Sequence, residues 1–184
     1  MRYPIATLAV VLSLTSIAQK PYERSKVVEI DTVTTADVLR AKARKWFVDT
    51  FKDANEVIQM DDAATNTIIG KGWTEFGDYA GIHYTIAVEC KHGRFRYRIY
   101  DVHHKGRGFV PGTTVPVPSL GSLADDERCY TPQQTGLQSP AGAERKMLKT
   151  CEGMRPEVDK RLDHIAASLE SAMETAAASS SDDW

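Results

Sequence analysis

The chain has little that would mark it as a catalyst or as a partner of nucleic acid. Its 184 residues carry 23 basic and 25 acidic side chains, a net charge of −2. So small an imbalance gives no general pull toward nucleic acid or an anionic membrane. No run reaches the roughly 20 apolar residues needed to cross hydrocarbon. The common enzyme signatures are missing: no Gly-x-Ser-x-Gly, no His-Glu-x-x-His, no P-loop and no Gly-x-Gly-x-x-Gly. There is no internal repeat. With only 3 cysteines, one disulfide is the most the chain can close on itself.

What is present begins at the N-terminus. Met1-Arg2-Tyr3 is a short basic start, and an apolar stretch follows from Ile5 to Leu14. Ser16 and Ala18 then give a small-x-small exit. Charge, short apolar core and small residues make a secretory signal peptide, with cleavage expected after Ala18. The mature protein is expected to begin at Gln19, to be exported to the periplasm or beyond, and to keep no transmembrane anchor. No cysteine lies near the cut to carry a lipid.

Export puts the cysteines in an oxidising compartment. Cys90 shares an inward strand face with Ile86 and Val88 and is expected to be a core thiol. Cys129 lies in a loop. Cys151 sits on a helical stripe with Met147, Leu148 and Met154. A Cys129–Cys151 bridge would tie the loop to the helix, but the stripe also explains Cys151 as packing.

The elements follow from period. Residues 26–31 are short and β-branched, so they predict a strand. Thr34 offers an N-cap oxygen for a helix over 36–52, whose Leu39, Ala43, Trp46, Phe47 and Phe51 recur at helical spacing. Two β-rich runs, 57–60 and 67–76, flank turn formers at 61–66 and predict a hairpin. In the second run Gly70 and Gly72 share the inward face with Ile68 and Phe76, so a helix can lie close there. Ile69, Lys71, Trp73 and Glu75 then face outward.

His92-Gly93 is a two-residue turn between runs 82–91 and 94–103. Pairing Lys91 with Arg94 gives an apolar face of Cys90/Phe95, Val88/Tyr97 and Ile86/Ile99. The polar face then holds Glu89/Arg96, Ala87/Arg98, Thr85/Tyr100 and His83/Val102. A slip of one residue would bury three arginines, so the register is well specified. Residues 105–141 are rich in Gly and Pro and predict a long surface loop. A C-terminal helix is expected over 142–177, broken or restarted at Pro156, with Leu162, Ile165, Leu169 and Met173 on one stripe. Residues 178–184 read as a disordered tail.

The fold class is α+β, in the order strand, helix, four antiparallel strands, helix, with both helices on one face of a five-stranded sheet. At this point the chain resembles a family of exported bacterial domains of unknown function with a TBP-like fold. The matching residues are Ala43-Arg-Lys-Trp-Phe-Val-Asp-Thr-Phe51, Val57-Ile-Gln-Met-Asp-Asp62, Ile68-Ile-Gly-Lys-Gly72 and the hairpin around His92-Gly93. The resemblance spans residues 26–104 and reaches the helix at 157–173. It implies the fold and export. The family brings no activity and no catalytic residues.

The five histidines converge nowhere obvious. His103 and His104 are adjacent and point to opposite faces. His92 fills a turn, and His83 could share a face with His104 without an acidic or thiol partner. They read as surface histidines, not metal ligands. Asp61 and Asp62 more simply cap a turn than form a carboxylate pair. Cys90 has no activating neighbour for a nucleophile. No catalytic residue, metal or cofactor is therefore expected.

The outer sheet face remains. Arg94, Arg96 and Arg98 alternate on one strand, about 6.6 Å apart. Tyr100 follows, with Lys71 and Trp73 nearby. Arginine forks beside aromatics on a flat sheet can bind an envelope protein, a peptide or an anionic glycan. The same pattern is also that of a solvated strand, with Glu89 neutralising Arg96. The function expected is a non-catalytic secreted or periplasmic binding module. The alternative is a hydrolase-like enzyme with an unrecognised site. Export argues against nucleic acid whatever the fold suggests.

Overall fold

The hairpin at His92-Gly93 forms the centre of the molecule. The computed structural model describes residues 22–51, 53–124, 129 and 142–174. The first strand, β1 (Arg24–Glu29), leads into helix α1 (Ala36–Thr50) and a single turn, α2 (Ala54–Val57). Strands β2 (Ile58–Asp62), β3 (Thr67–Glu75), β4 (Ala80–Lys91) and β5 (Arg94–Gly106) follow. A two-residue strand β6 (Gly121–Ser122) precedes helix α3 (Ala143–Glu174). The sheet runs β1-β5-β4-β3-β2, every pair antiparallel, and β6 joins β5 beyond the end of β1. Helices α1 and α3 pack on one face, as expected of the two long helices, and the fold is α+β. The leader and the 178–184 tail lie outside the described residues.

The core is the inward face of β4 and β5 against the helices. Ile82, Ile86, Val88, Ile99, Leu39, Phe47 and Leu162 have no exposure. Trp46 is buried and its Nε1–H donates to Ser168 Oγ at 3.1 Å, so α1 and α3 are joined by a hydrogen bond as well as by packing. The close approach of α1 needs Gly70: a Cβ built there would lie 2.5 Å from the Phe47 ring. Phe51, expected in the core, is only partly buried at the end of α1.

Several local expectations are corrected. The cap of α1 is Thr35, whose Oγ1 accepts from the Val38 amide. Thr34 is already engaged, donating its amide and hydroxyl to Asp31 at 2.6 Å each. Asp61 and Asp62 divide the work expected of both. Asp62 caps the turn, accepting from Ala64 N–H and the Thr65 hydroxyl. Asp61 belongs to β2 and binds Arg40 and Arg44 of α1.

Pro156 does not break the helix: α3 runs through it. One backbone hydrogen bond is lost there, but Cys151, Met154, Val158 and Leu162 form one buried stripe across the site and hold the helix in place. Cys129 and Cys151 are bridged, and Cys90 is a buried free thiol.

The stretch 105–141 is not all surface loop. Residues 109–116 form a small turn closed by a Phe109–Pro116 bridge. The chain then returns to the edge of β5, where Leu120, Leu123 and Ala124 are buried. Leu120, Leu123, Ala124 and the disulfide at Cys129 give the described part of this segment a core that a Gly/Pro-rich composition hides.

Candidate binding face

With both helices on one side, the other side of the sheet is bare among the described residues. The alternation of β5 sends Arg94, Arg96 and Arg98 there, beside Tyr100, with Lys71 and Trp73 two strands away on β3. All six residues singled out from the sequence share this face, and the Lys91–Arg94 register holds through Thr85–Tyr100.

Beyond that point the register changes. A bulge lies between His83 and Thr85 on β4, where β5 carries one extra residue. Asp101 occupies it in the left-handed region, at φ 52°. The extra residue inverts the alternation of β5. His83 therefore pairs with His103 and not with Val102. Val102 and His104 turn into the core, and Asp101, His103 and Lys105 turn outward. The face that His83 was expected to share with His104 is shared with His103.

The result is one cross-strand row over four strands: Trp73, His83, His103 and Ser122, each opposite the next. The imidazoles are stacked, 5.1 Å apart and 11° from parallel. Trp73 stacks on His83 at 6.3 Å, and the Arg107 guanidinium covers Trp73 at 4.7 Å. Sequence reasoning missed His83, His103 and Ser122. The signal that could have found the histidines is Val102, an apolar residue in the outward phase beside Asp101 in the inward one.

The two ends of the face differ in charge. Every arginine has an acid. Arg98 binds Glu23 through Nε and Nη2 at 3.1 and 3.0 Å. Arg96 binds both oxygens of Glu89 at 2.8 and 2.6 Å. Arg94 lies 3.6 Å from Glu29. Arg98 holds the Glu23 carboxyl below its usual range, and its guanidinium also sits over Tyr100 at 5.1 Å. At the other end the side chains of Lys71, Lys105 and Ser122 make no hydrogen bond or ion pair among the described residues. Burial holds the His83 imidazole below its usual pKa, and the nearby charges of His103, Lys105 and Arg107 lower it further.

Each end has a recess. One, of about 310 Å³, lies among Val27, Glu89, Lys91, Arg94 and Arg96. The other, of about 400 Å³, is bounded by Asp101, His103, Lys105, Ser119 and Ser122.

The remaining candidates sit elsewhere. His92 faces Thr32 O at 3.0 Å and ties the hairpin tip to the loop before α1. His164 is exposed on α3. Burial pushes the Cys90 thiol up to about 12, which keeps it protonated and inert. Among the described residues no three of His, Cys, Asp and Glu are placed to hold a metal ion. No helix there is long and apolar enough to cross a membrane.

Residues 25–105 match the model of a domain of unknown function (DUF4468) with a TBP-like fold. Among solved structures, a TBP-like protein from Parabacteroides distasonis superposes with a TM-score of 0.52 at 12% identity, over 84% of this chain and 93% of that one. A DUF4468 family protein from Bacteroides ovatus aligns with a TM-score of 0.41 at 18% identity, over 81% and 86%. At 12% identity, the likeness to the Parabacteroides distasonis protein is one of fold. No curated protein matches the sequence.

Proposed function

With residues 25–105 matching the model of a domain of unknown function with a TBP-like fold, we propose that this protein is an exported, non-catalytic binding module. It takes its partner on the open face of the sheet. One observation carries the reading: the strands place Trp73, Tyr100, two imidazoles and unpaired lysines together on a face that no element covers among the described residues. Aromatics and exposed donors on a rigid sheet suit recognition, because little order has to be gained on binding.

Export is supported by the leader pattern at residues 1–18 and by the Cys129–Cys151 bridge, which suits an oxidising compartment. The partner is an envelope protein, a peptide or an anionic glycan. The TBP-like fold is no argument for DNA, since functions are grafted on folds.

The test uses protein isolated from the native envelope fraction. Its mass should begin at Gln19, and partners should co-purify. Replacing Trp73 and Tyr100 with Ala should weaken recovery roughly tenfold or more, as loss of aromatic anchors does. The triple change Arg94→Gln, Arg96→Gln, Arg98→Gln should leave the fold intact and reduce recovery. Unchanged partners at unchanged salt in both variants would remove the sheet face from consideration. A retained leader on native protein would refute export.

A further inference from the structure

We propose that the end of the sheet built from His83, His103, Lys105 and Ser122 is a site for an oxyanion, a carboxylate, phosphate or sulfate group of the ligand. This deepens the sheet-face reading and rests on it. The argument starts from the bulge. A left-handed non-glycine residue such as Asp101 is disfavoured by the backbone and persists where its surroundings impose it. Here it sets His103 opposite His83 and beside Ser122. Bulges recur where a side chain must be re-aimed at a site.

The donors that result have no partner of their own. Lys105 and Ser122 border the same recess of about 400 Å³ as His103, and neither side chain makes a hydrogen bond or ion pair among the described residues. His103 Nδ1 lies 3.0 Å from the Asp101 carbonyl oxygen. An Nδ1–H donating there leaves Nε2 as the atom that gains a proton when the ring becomes imidazolium. The two rings are parallel and 5.1 Å apart, so charging both is unfavourable unless an anion comes between or beside them.

The surroundings of His83 point the same way. From β3 it faces Trp73, with Lys71 and Glu75 on either side. From β5 and the residues after it, it faces Asp101, His103, Lys105 and Arg107. Glu75 is drawn to Arg107, at 3.6 Å. Asp101 is the acid at the rim of the recess, beside Lys105 and the His103 imidazole. Burial is the first cause of the low His83 pKa; the positive charges of His103, Lys105 and Arg107 add to it, and that added part is what a bound anion would cancel. The arginine end differs, because its guanidinium groups are already matched to Glu23, Glu29 and Glu89.

Binding therefore takes up a proton and is stronger near pH 6 than near pH 8. The experiment follows the imidazole NMR signals of His83 and His103 in the full mature protein. Inorganic phosphate, sulfate and acetate are each titrated against chloride at equal ionic strength. The expected result is a saturating shift of both rings with one or more of the three, and a His83 pKa raised by roughly half a unit or more. The anion that saturates at lowest concentration identifies the group. Lys105→Gln should weaken the response several-fold, and Asp101→Asn should strengthen it. Shifts no larger than with chloride in the wild type would overturn the proposal, and so would a response indifferent to both substitutions. Failure here leaves the sheet-face reading standing if Trp73→Ala still abolishes partner recovery. A saturating response with partner recovery unaffected by Trp73→Ala would instead leave an anion site on a face that is not the partner's.

Discussion

His104 and His103 are chemical twins with opposite situations. His103 faces solvent on the outer side of β5, whereas His104 is buried and its Nδ1 accepts the Leu120 N–H at 3.2 Å. That bond needs a neutral ring, and burial lowers the His104 pKa in the folded state. The stabilisation is complete above the unfolded value of about 6.5. It is lost as pH falls through the lower folded value, because the unfolded chain takes the proton more readily. His83, also lowered, acts in the same direction. Urea midpoints should therefore drop between pH 7.5 and 5.5, before the carboxyls of Glu23 and Glu170, held low, begin to protonate. In His104→Gln the drop should be smaller, since an amide oxygen accepts the Leu120 amide at any pH. A wild-type midpoint flat over that range would show that His104 titrates alike in both states. Trp46 is the core residue with most to lose. Trp46→Ala should cost about 3–5 kcal/mol, read from urea unfolding, because it empties a buried site and also removes the hydrogen bond to Ser168. Full wild-type stability would mean that α1 does not pack on this sheet.

At the scale of elements, strong periods were legible and weak ones were not. The β4–β5 register could be read from Lys91 to Tyr100 because a slip there buries arginines. It failed at His83 because one extra residue leaves both neighbouring strands looking regular. Strand β6 was hidden because two residues show no alternation, and its partners lie far back in the chain, at His103 and His104. Helix α3 passes Pro156 because its stripe is buried on both sides of the proline. Two glycines give opposite expectations. Gly70→Ala would drive a methyl group into the Phe47 ring, so α1 must lift from β3, at a cost of roughly 1–3 kcal/mol. Gly153 lies in α3 with open space around it, and Gly153→Ala should stabilise by about 0.5–1 kcal/mol. Chemical denaturation of the pair decides: a neutral Gly70→Ala would mean that Phe47 is not locked against the sheet.

For the molecule as a whole, Tyr22 ties the segment before β1 to α3, and the Cys129–Cys151 bridge ties residue 129 to the same helix. Tyr22 is buried, donates its hydroxyl to Asp159 and lies between the guanidinium groups of Arg24 and Arg155, at 5.0 and 5.5 Å. Leu123, Cys129 and Cys151 surround the same spot. The bridge spans 22 residues, and loop closure of that size is worth about 3 kcal/mol. Replacing Cys129 and Cys151 with Ser should lower unfolding stability by about that amount and expose the segment at 120–124 to proteolysis first. Equal stability and equal protection would show that the leucines alone hold it.

The sequence by itself determined the hairpin, the helix–sheet order, the face that carries Arg94, Arg96, Arg98, Tyr100, Lys71 and Trp73, and the inert burial of Cys90. All of these follow from periods of two or 3.6 residues acting over neighbours in the chain. Tertiary structure alone decided which donors stand unpaired. Glu23 and Glu29 reach the arginines from β1 and the residue just before it, and Ser122 reaches His103 from beyond the long loop. Charge matching depends on partners from distant segments, and no local period encodes where those segments come to rest.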